Sequence, residues 1–585
     1  MREPRRAGLV SALLAAVLAL TGCAAIPTEG PVVQGVTGAD NGGGGFGVLP
    51  VGPDAGETPE GIVRGFLLAA AGVENDFAVA RQFLAAPGAT SWQPNTSTVV
   101  YGGATPAVTM LDAAGAAVPE GADTPADQLT ARIVVPVVAT IDTNGGYTPA
   151  PEGTEKQVDF AMKKVSGQWR ISRLDDQVLI ADSDFALVYE GYELYFLDPT
   201  LSFLVPETRW FPDRTSTATS LVTQLLRGPS PWLAPGVTTA FPTGTGLDLE
   251  SVPIEAGVAR VDLTAPARQG SSPADRALMQ AQLEATLGPV PTVTSVEMRV
   301  DGSPIALPQQ PAGVLQDVPV DESPVLVADG TLVRLRVGEL VGVEGLPPLG
   351  DLVISHPGMS LGEVTYAVLA AQRSQLLHLV PGSEQVPEPL VRGADLTAPS
   401  FDRLGWIWST PAVSTGVVTA ALPDGTVAQV EAAWLADRRV TSLRIARDGT
   451  RAAVASTDAS GRGHVDVASV VRTPLGVPER LEQRGPDTVG SALVAAEEVA
   501  WVDEVTIAAL GRRAGDEQPR VHLLRLGGPA EPPLATTPDG VTLAAARGPR
   551  TIVVGTSEGE LLVQAGAVWV PQPGAAGARQ PAFAG

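Results

Sequence analysis

Cysteine is almost absent from this chain, which has 585 residues and a single cysteine, Cys23. Because one cysteine has no partner within the chain, an intramolecular disulfide is excluded. Domains that fold outside the cell without disulfides depend on large apolar cores. Apolar residues make up 44 % of the sequence, and a chain of this length is expected to form about two to four folded domains.

Positive charge is also scarce. The chain has 39 Lys and Arg residues against 64 Asp and Glu residues, and its formal net charge is −25 at pH 7. Loss of residues 1–22 removes three Arg and one Glu and brings this charge to −27. Such a chain repels nucleic-acid phosphates and anionic lipid headgroups. We therefore expect no nucleic-acid binding, and we expect any membrane attachment to depend on a lipid.

Long apolar runs are limited to one, near the N-terminus. Residues 8–20 form an apolar span behind a basic head with Arg at positions 2, 5 and 6. The span is shorter than the roughly 20 residues that cross a bilayer, and it has the length of the apolar region of a secretory signal peptide. We predict a signal peptide over residues 1–22.

The sequence Leu20-Thr21-Gly22-Cys23 ends this span and resembles the lipobox of bacterial lipoproteins. The resemblance implies cleavage between Gly22 and Cys23, an S-diacylglycerol on Cys23 and an N-acyl group on the new N-terminus. The protein would then be anchored to the cell membrane on its extracytoplasmic face. The alternative is an ordinary signal peptide that happens to contain a cysteine.

Residues 23–57 are predicted to form the lipidated cysteine and a flexible tether. This stretch is rich in Gly and Pro, includes four consecutive glycines at 42–45, and shows no sustained apolar period. As a coil it would reach about 30 Å from the membrane.

Residues 58–185 are predicted to form an α+β domain. Thr58 and Pro59 start a helix as N-cap and first helical residue, and a second helix is expected over 76–84. Strands follow, including 129–141, in which Pro136 indicates an edge or a bulge. This order resembles the NTF2-like fold, which implies a curved sheet that can hold a ligand. Two tryptophans of the region, Trp92 and Trp169, are interpreted as core or rim aromatics rather than as ligand platforms.

Residues 186–310 are predicted to form a second α+β domain. Strands are expected over 188–197, 201–211, 246–254, 257–264 and 296–300, with one helix from Ser216 to Gly228 and another from Ser272 to Gly288. The region resembles the GerMN domain of bacterial envelope proteins. The resemblance rests on Leu225-Leu226-Arg227-Gly228-Pro229, Ala240-Phe241-Pro242, Val261-Asp262-Leu263, Ala285-Thr286-Leu287 and Val300-Asp301-Gly302.

Residues 315–585 contain short β-rich runs broken by turns. The clearest unit is 440–456, a strand, an Asp-Gly turn and a second strand. Glycines 362, 405, 449 and 548 are spaced by 43, 44 and 99 residues, which fits the 40–50 residues of a propeller blade. We predict an all-β propeller of about six blades, and a pair of β-sandwiches is the alternative.

Few residues suggest chemistry. Gly358-Met359-Ser360-Leu361-Gly362 fits a nucleophile-elbow pattern, but alternating apolar residues after it predict a strand where an elbow needs a helix. Asp262 and Asp301 are more simply explained by a strand end and a turn than by a carboxylate pair. The four histidines show no metal-ligand spacing. We therefore predict no enzyme activity, no metal site and no cofactor. The histidines are His356, His378, His464 and His522.

The order of lipobox, tether, NTF2-like domain, GerMN domain and propeller resembles the actinobacterial lipoprotein LpqB family. The resemblance implies an accessory protein that binds the extracytoplasmic domain of the sensor kinase MtrB. It would modulate the MtrAB two-component system in cell-envelope homeostasis and division. Two alternatives remain open: a binder of cell-wall glycan or of a small ligand, and an envelope hydrolase with an unrecognised site.

Overall fold

The computed structural model describes residues 50–119, 127–308, 313–485, 489 and 493–585. The first domain contains three helices and seven strands in these residues. The helices are α1 (Pro59–Ala69), α2 (Ala78–Arg81) and α3 (Gly88–Ser91). The strands are β1 (Thr98–Tyr101), β2 (Thr109–Leu111), β3 (Gln128–Ile141), β4 (Tyr147–Pro149), β5 (Glu155–Val165), β6 (Gln168–Arg173) and β7 (Val178–Ala181).

Helix α1 begins as the sequence predicts. The Thr58 side chain accepts a hydrogen bond from the Gly61 amide, and Pro59 occupies the first turn. Helix α2 is shorter than predicted, because the residues 75–77 all have positive φ and the chain becomes helical only at Ala78.

Strand β3 is the centre of the first sheet, which has the order β6-β5-β3-β1-β7 with β2 and β4 also paired to β3. Pairing with β5 ends at Pro136, and the register against β1 shifts between Val100 and Tyr101. The bulge predicted at this proline is therefore confirmed. Helix and sheet bury one apolar core between them, which confirms the α+β prediction.

The predicted tether overlaps the described residues at 50–57. The Gly56 amide donates to Gln168 Oε1 over 2.6 Å, so this part of the stretch lies against strand β6.

The second domain packs two β-sheets against helices. Its helices are α4 (Asp182–Val188), α5 (Thr217–Arg227), α6 (Pro266–Gln269) and α7 (Pro273–Leu287). Its strands are β8 (Tyr189–Leu197), β9 (Leu204–Pro212), β10 (Ile254–Glu255), β11 (Val258–Leu263), β12 (Ser295–Val300) and β13 (Ser303–Pro304). Strands β8 and β9 form a hairpin, and the other four form a sheet in the order β10-β11-β12-β13.

Helix α7 connects the parallel strands β11 and β12. It starts with the predicted Ser272 cap, which forms a complete capping box with Asp275.

Two sequence predictions for this domain are wrong. Ser216 precedes α5 with φ −92° and ψ 7° and makes no side-chain cap; the Thr217 hydroxyl donates to the Pro212 and Arg214 carbonyls instead. The strand predicted over 246–254 is reduced to Ile254–Glu255, since most of that stretch follows the surface through bends and ends in Pro253, which has no N–H to donate.

Residues 325–582 form six consecutive β-sheet units, which confirms the predicted propeller. The first is β14 (Val325–Ala328), β15 (Thr331–Arg336) and β16 (Glu339–Gly342), and the second is β17 (Ser355–Met359), β18 (Tyr366–Ala370), β19 (Gln375–Leu379) and β20 (Pro389–Arg392). The third is β21 (Ser400–Phe401), β22 (Ile407–Ser409), β23 (Val417–Ala421) and β24 (Val427–Glu431), and the fourth is β25 (Arg439–Ile445), β26 (Arg451–Thr457), β27 (Gly463–Arg472) and β28 (Pro478–Gln483). The fifth is β29 (Leu493–Trp501), β30 (Thr506–Arg513) and β31 (Arg520–Arg525), and the sixth is β32 (Gly540–Ala544), β33 (Val553–Thr556), β34 (Leu561–Ala565) and β35 (Val568–Pro571).

The two ends of the propeller meet in its first blade. The last strand, β36 (Arg579–Ala582), pairs with β14, so the C-terminal strand completes the N-terminal blade. The outer strands of the third and fourth blades also pair, through Glu431 and Arg480, which joins these two blades into one eight-stranded sheet. Such closure leaves few free strand edges.

Candidate functional site

Gly22 and Cys23 lie outside the described residues. The lipobox therefore stays a prediction. No helix in the described part of the chain is long and apolar enough to cross a membrane.

Ser360 lies in a tight hairpin turn. Its hydroxyl accepts a hydrogen bond from the Thr365 amide over 3.2 Å, and its own amide donates to the Thr365 carbonyl. Strand β18 follows the turn, where a nucleophile elbow would have a helix. The sequence pattern around Ser360 is therefore turn chemistry.

Asp262 and Asp301 do not form a reactive pair. Asp262 is buried, and its carboxylate accepts the Gly302 amide over 3.0 Å. Asp301 occupies the turn with a φ of 49°. The carboxylate of Asp262 thus fixes the turn between β12 and β13.

The four histidines occupy separate places in the propeller. His464 pairs with Asp458 at 2.9 Å. His522 is buried, and burial lowers its pKa to about 4, with Arg513 adding to the effect. Burial likewise lowers the pKa of His356 to about 4. The described residues contain no group of three or more His, Cys, Asp or Glu side chains that could hold a metal ion.

The space between α1 and the first sheet is filled by aromatic side chains. The rings of Phe66 and Trp92 lie 5.4 Å apart, and those of Phe66 and Phe160 lie 5.9 Å apart. Trp92 is 3 % exposed, so it is a core residue, whereas Trp169 is half-buried beside Lys164.

The hairpin β8–β9 docks on the propeller through buried charges. Arg403 lies in the turn between β21 and β22 and forms an ion pair with Asp198, which is 1 % exposed. The Arg403 Nε also donates to the Asp448 carbonyl over 2.8 Å. Arg451, paired with the Asp448 carboxylate, donates to the Pro206 carbonyl over 3.3 Å. We call this contact between hairpin and propeller turns the seam.

A carboxyl group with a raised pKa lies in the seam. Glu504 Oε2 accepts the Tyr195 hydroxyl over 3.2 Å, and Gln316 donates to that hydroxyl over 2.8 Å. Burial raises the pKa of Glu504 to about 7, against the attraction of Arg451. Near neutral pH this site therefore exchanges a proton.

Trp210 touches all three domains. Its ring packs 5.9 Å from Tyr147 and 5.1 Å from Phe185, and its Nε1 donates to the Gly527 carbonyl of the propeller over 2.6 Å. Its backbone amide donates to the Gly145 carbonyl of the first domain over 2.7 Å. One side chain of β9 thus links the turn β3–β4, helix α4 and the fifth blade.

A cavity of about 260 Å³ opens beside this tryptophan, where the three domains meet. We call it the junction cavity. The first domain contributes its turn at 142–148, the second domain contributes parts of β9, α5 and the following loop, and the propeller contributes Arg484. Its charged side chains are Asp142, Glu207, Arg209, Arg227 and Arg484.

The axis of the propeller is narrow. A cavity of about 50 Å³ lies there, with walls from the innermost strands. Arg444 and Glu498 pair at 2.6 Å beside it, and Glu498 also accepts the Leu543 amide. Burial raises the pKa of Glu498, and Arg444 opposes that shift. These contacts hold neighbouring blades together.

Sequence reasoning found neither the seam nor the junction cavity. Asp198 and Arg403 are 205 residues apart, and Arg451 and Pro206 are 245 apart. A buried salt bridge between domains has no local sequence period. The one available signal was the excess of arginine over lysine, since arginine is favoured for buried ion pairs.

Family models match three consecutive parts of the chain. The model described as "Lipoprotein LpqB, N-terminal domain" matches residues 52–186. The model "Sporulation and spore germination" matches 193–306, and the model "Lipoprotein LpqB beta-propeller domain" matches 330–584.

Relatives are similar along the full length. Lipoprotein LpqB of Thermobifida fusca (strain YX) is 30 % identical over 623 residues, which cover 95 % of each chain. Lipoprotein LpqB of Cutibacterium acnes (strain DSM 16379 / KPA171202) is 27 % identical, over 88 % of this chain and 87 % of the relative. Among solved structures, the first GerMN domain of the sporulation protein GerM from Bacillus subtilis is 21 % identical with a TM-score of 0.16, covering 20 % of this chain and 86 % of that one.

Proposed function

This chain belongs to the lipoprotein LpqB family, and on that premise we propose that it is an extracytoplasmic, membrane-anchored protein that binds and modulates a sensor kinase of the MtrB type. The observation that carries the proposal is the family match over 95 % of both chains, together with Cys23 directly after a signal-like segment.

The anchor accounts for how such a protein would work. A single acyl chain holds a protein to a bilayer weakly and reversibly, whereas two or more chains give lasting attachment. The lipid on Cys23 would confine the acidic body to one membrane surface, because the body itself carries too much negative charge to adhere there. Confinement raises the effective concentration toward membrane-embedded partners, so a weak contact with a kinase suffices.

The alternatives have lost their best candidate sites. The hydrolase hypothesis depended on Ser360, which lies in a hairpin turn and hydrogen-bonds to Thr365. The ligand-binding hypothesis depended on the concavity of the first sheet, where Phe66, Trp92 and Phe160 pack against one another. An accessory binding role needs neither site.

Membrane attachment is tested by replacing the lipidated residue. In cells fed a labelled fatty acid, we expect the wild-type protein to carry label and to sediment with membranes. The variant Cys23→Ala should carry no label and should either be released or remain uncleaved. A Cys23→Ala protein that stays labelled and membrane-bound would contradict the anchor.

Partner binding is tested by capture from crosslinked membranes. Full-length tagged protein should recover a two-component sensor kinase, identified by mass spectrometry. The Cys23→Ala variant at equal abundance should recover much less, because it loses confinement to the membrane. Repeated capture without any sensor kinase would refute the proposed partner class.

A further inference from the structure

We propose that the junction cavity binds an oxyanion, namely the phosphate group of a small molecule. This inference concerns a ligand site and is independent of the kinase partner proposed above. It rests on the charges, the hydrogen bonds and the size of the cavity.

Arg484 is the central observation. Its guanidinium lies over the Trp232 ring, 5.2 Å from the ring centre. Within the described residues it makes no hydrogen bond or ion pair, although the side chain is half-buried. Burial lowers the pKa of Arg484 to about 10, and the neighbouring charges of Arg209 and Arg451 lower it further while Glu207 opposes them. A guanidinium in this setting has its donors available for an anion.

The nearby carboxylate is already engaged. Glu207 Oε2 accepts Arg209 Nη2 over 2.8 Å and the Ser230 amide over 3.1 Å. Arg209 is itself held by the Asn144 carbonyl over 2.9 Å. Glu207 therefore neutralises Arg209 and leaves Arg484 without a direct partner.

The local charge favours an anion, in contrast to the chain as a whole. The cavity walls carry three arginines and two carboxylates, whereas the complete chain carries a net charge of −25. The Asp142 carboxylate is engaged by the Asn144 and Gly146 amides, both at 2.8 Å. Arg227, which is exposed, donates to the Asn144 side chain over 3.3 Å.

Two buried polar side chains in the same wall have unused hydrogen-bonding capacity. Thr208 and Gln224 are 6 % and 7 % exposed, and Thr208 Oγ1 and Gln224 Oε1 have no hydrogen-bond partner within the described residues. Buried polar atoms of this kind ordinarily pair with a bound water, ion or ligand.

The size of the cavity indicates more than a water site. Its volume of about 260 Å³ is several times the roughly 30 Å³ that one water occupies in the liquid. A phosphate group with a short polar substituent therefore fits, and both free phosphate and a phosphate ester present the oxyanion that Arg484 would bind.

The test uses the full-length protein, purified in a non-ionic detergent without phospholipid. Titration calorimetry with inorganic phosphate, sn-glycerol 3-phosphate and glycerol measures binding, and thermal unfolding with each compound gives a second readout, because a ligand that binds the folded state raises Tm. We expect one or both phosphate compounds to bind and glycerol to be silent. Tighter binding of the ester would identify a phosphorylated polyol as the ligand class, and equal binding would identify the free phosphate group as sufficient.

The variants assign binding to the cavity. Arg484→Gln should weaken phosphate binding by about tenfold or more, since it removes a charge-assisted hydrogen bond. Arg484→Lys keeps the charge but loses the planar fork, so it should weaken binding less and guards against a folding defect in the first variant. Arg550→Gln, at an exposed arginine outside the cavity, changes net charge equally and should leave binding unchanged. Failure of both phosphate compounds to bind, or equal affinity in wild type and Arg484→Gln, would overturn the site; kinase capture is a separate measurement and does not depend on either outcome.

Discussion

The core of the first domain and the seam between hairpin β8–β9 and the propeller are both buried, yet they are built from opposite chemistry. In the core, Ile133 and Phe160 are 1 % and 0 % exposed and contact other apolar side chains. In the seam, Asp198 and Arg451 are each 1 % exposed and are matched by opposite charges and backbone carbonyls.

The difference shows how each region depends on its partners. An apolar core tolerates changes in pH and salt, because its stability comes from removing apolar area from water. A buried ion pair is stable only while each charge keeps its partner, since the desolvation penalty is large. The first domain therefore has a robust core of its own, whereas the seam joins two domains through contacts that one substitution or one proton can alter.

The largest effect is expected from breaking a seam ion pair. Asp448→Ala would leave Arg451 buried and without its carboxylate, and we expect a loss of about 3–5 kcal/mol in the free energy of unfolding. Denaturant unfolding followed by tryptophan fluorescence measures this loss. The matched control is Asp159→Ala, which removes the exposed partner of Arg132 and should change the free energy by less than about 1 kcal/mol. Equal losses in the two variants would remove the distinction between seam and surface.

A smaller effect is expected from trimming the apolar core. Ile133→Val removes one buried methylene and should lower the free energy of unfolding of the first domain by about 0.5–1.5 kcal/mol. No titratable group is involved, so the loss should be the same at about pH 5 and at about pH 8. The check is chemical unfolding at both pH values, and a loss that changed with pH would show that the core is coupled to the charged regions.

The smallest effect, and the one specific to the seam, is a pH dependence at Glu504. Its pKa is raised from 4.5 to about 7 in the folded protein, so between these pH values the folded state keeps a proton that the unfolded state releases. The contribution of this group to stability is therefore present below about pH 4.5 and is lost as pH rises toward 7.

Glu504→Gln tests this dependence. The variant should match wild type at low pH and become progressively more stable than wild type as pH approaches and passes 7. Tm measured across this range gives the comparison, with Arg550→Gln as a control at an exposed site. Wild-type and Glu504→Gln curves that run parallel over the whole range would contradict the raised pKa.

Local patterns predicted much of the fold. Gly405, Gly449 and Gly548 each have positive φ, between 76° and 87°, so the blade period was visible in residues that the turns require. The cap at Ser272 was equally local. The prediction failed at 246–254, where β-compatible residues are held by scattered contacts such as the Val252 amide with the Thr219 hydroxyl.

The candidate sites were not predictable in the same way. Arg484 is a single arginine after a strand, and its setting depends on Trp232 and Glu207 from another domain. Glu504 follows an Asp in a turn, and its raised pKa depends on burial beneath Tyr195. Such properties arise from how domains dock, which composition and periodicity do not encode.

The central claim is that the protein modulates a sensor kinase from the membrane surface. The most direct measurement is the phosphorylated fraction of the cognate response regulator in cells with the wild-type protein, with Cys23→Ala and with the gene deleted. We predict that deletion changes this fraction and that Cys23→Ala changes it in the same direction, because both remove the tethered protein from the kinase. An unchanged fraction in the deletion strain would contradict the claim.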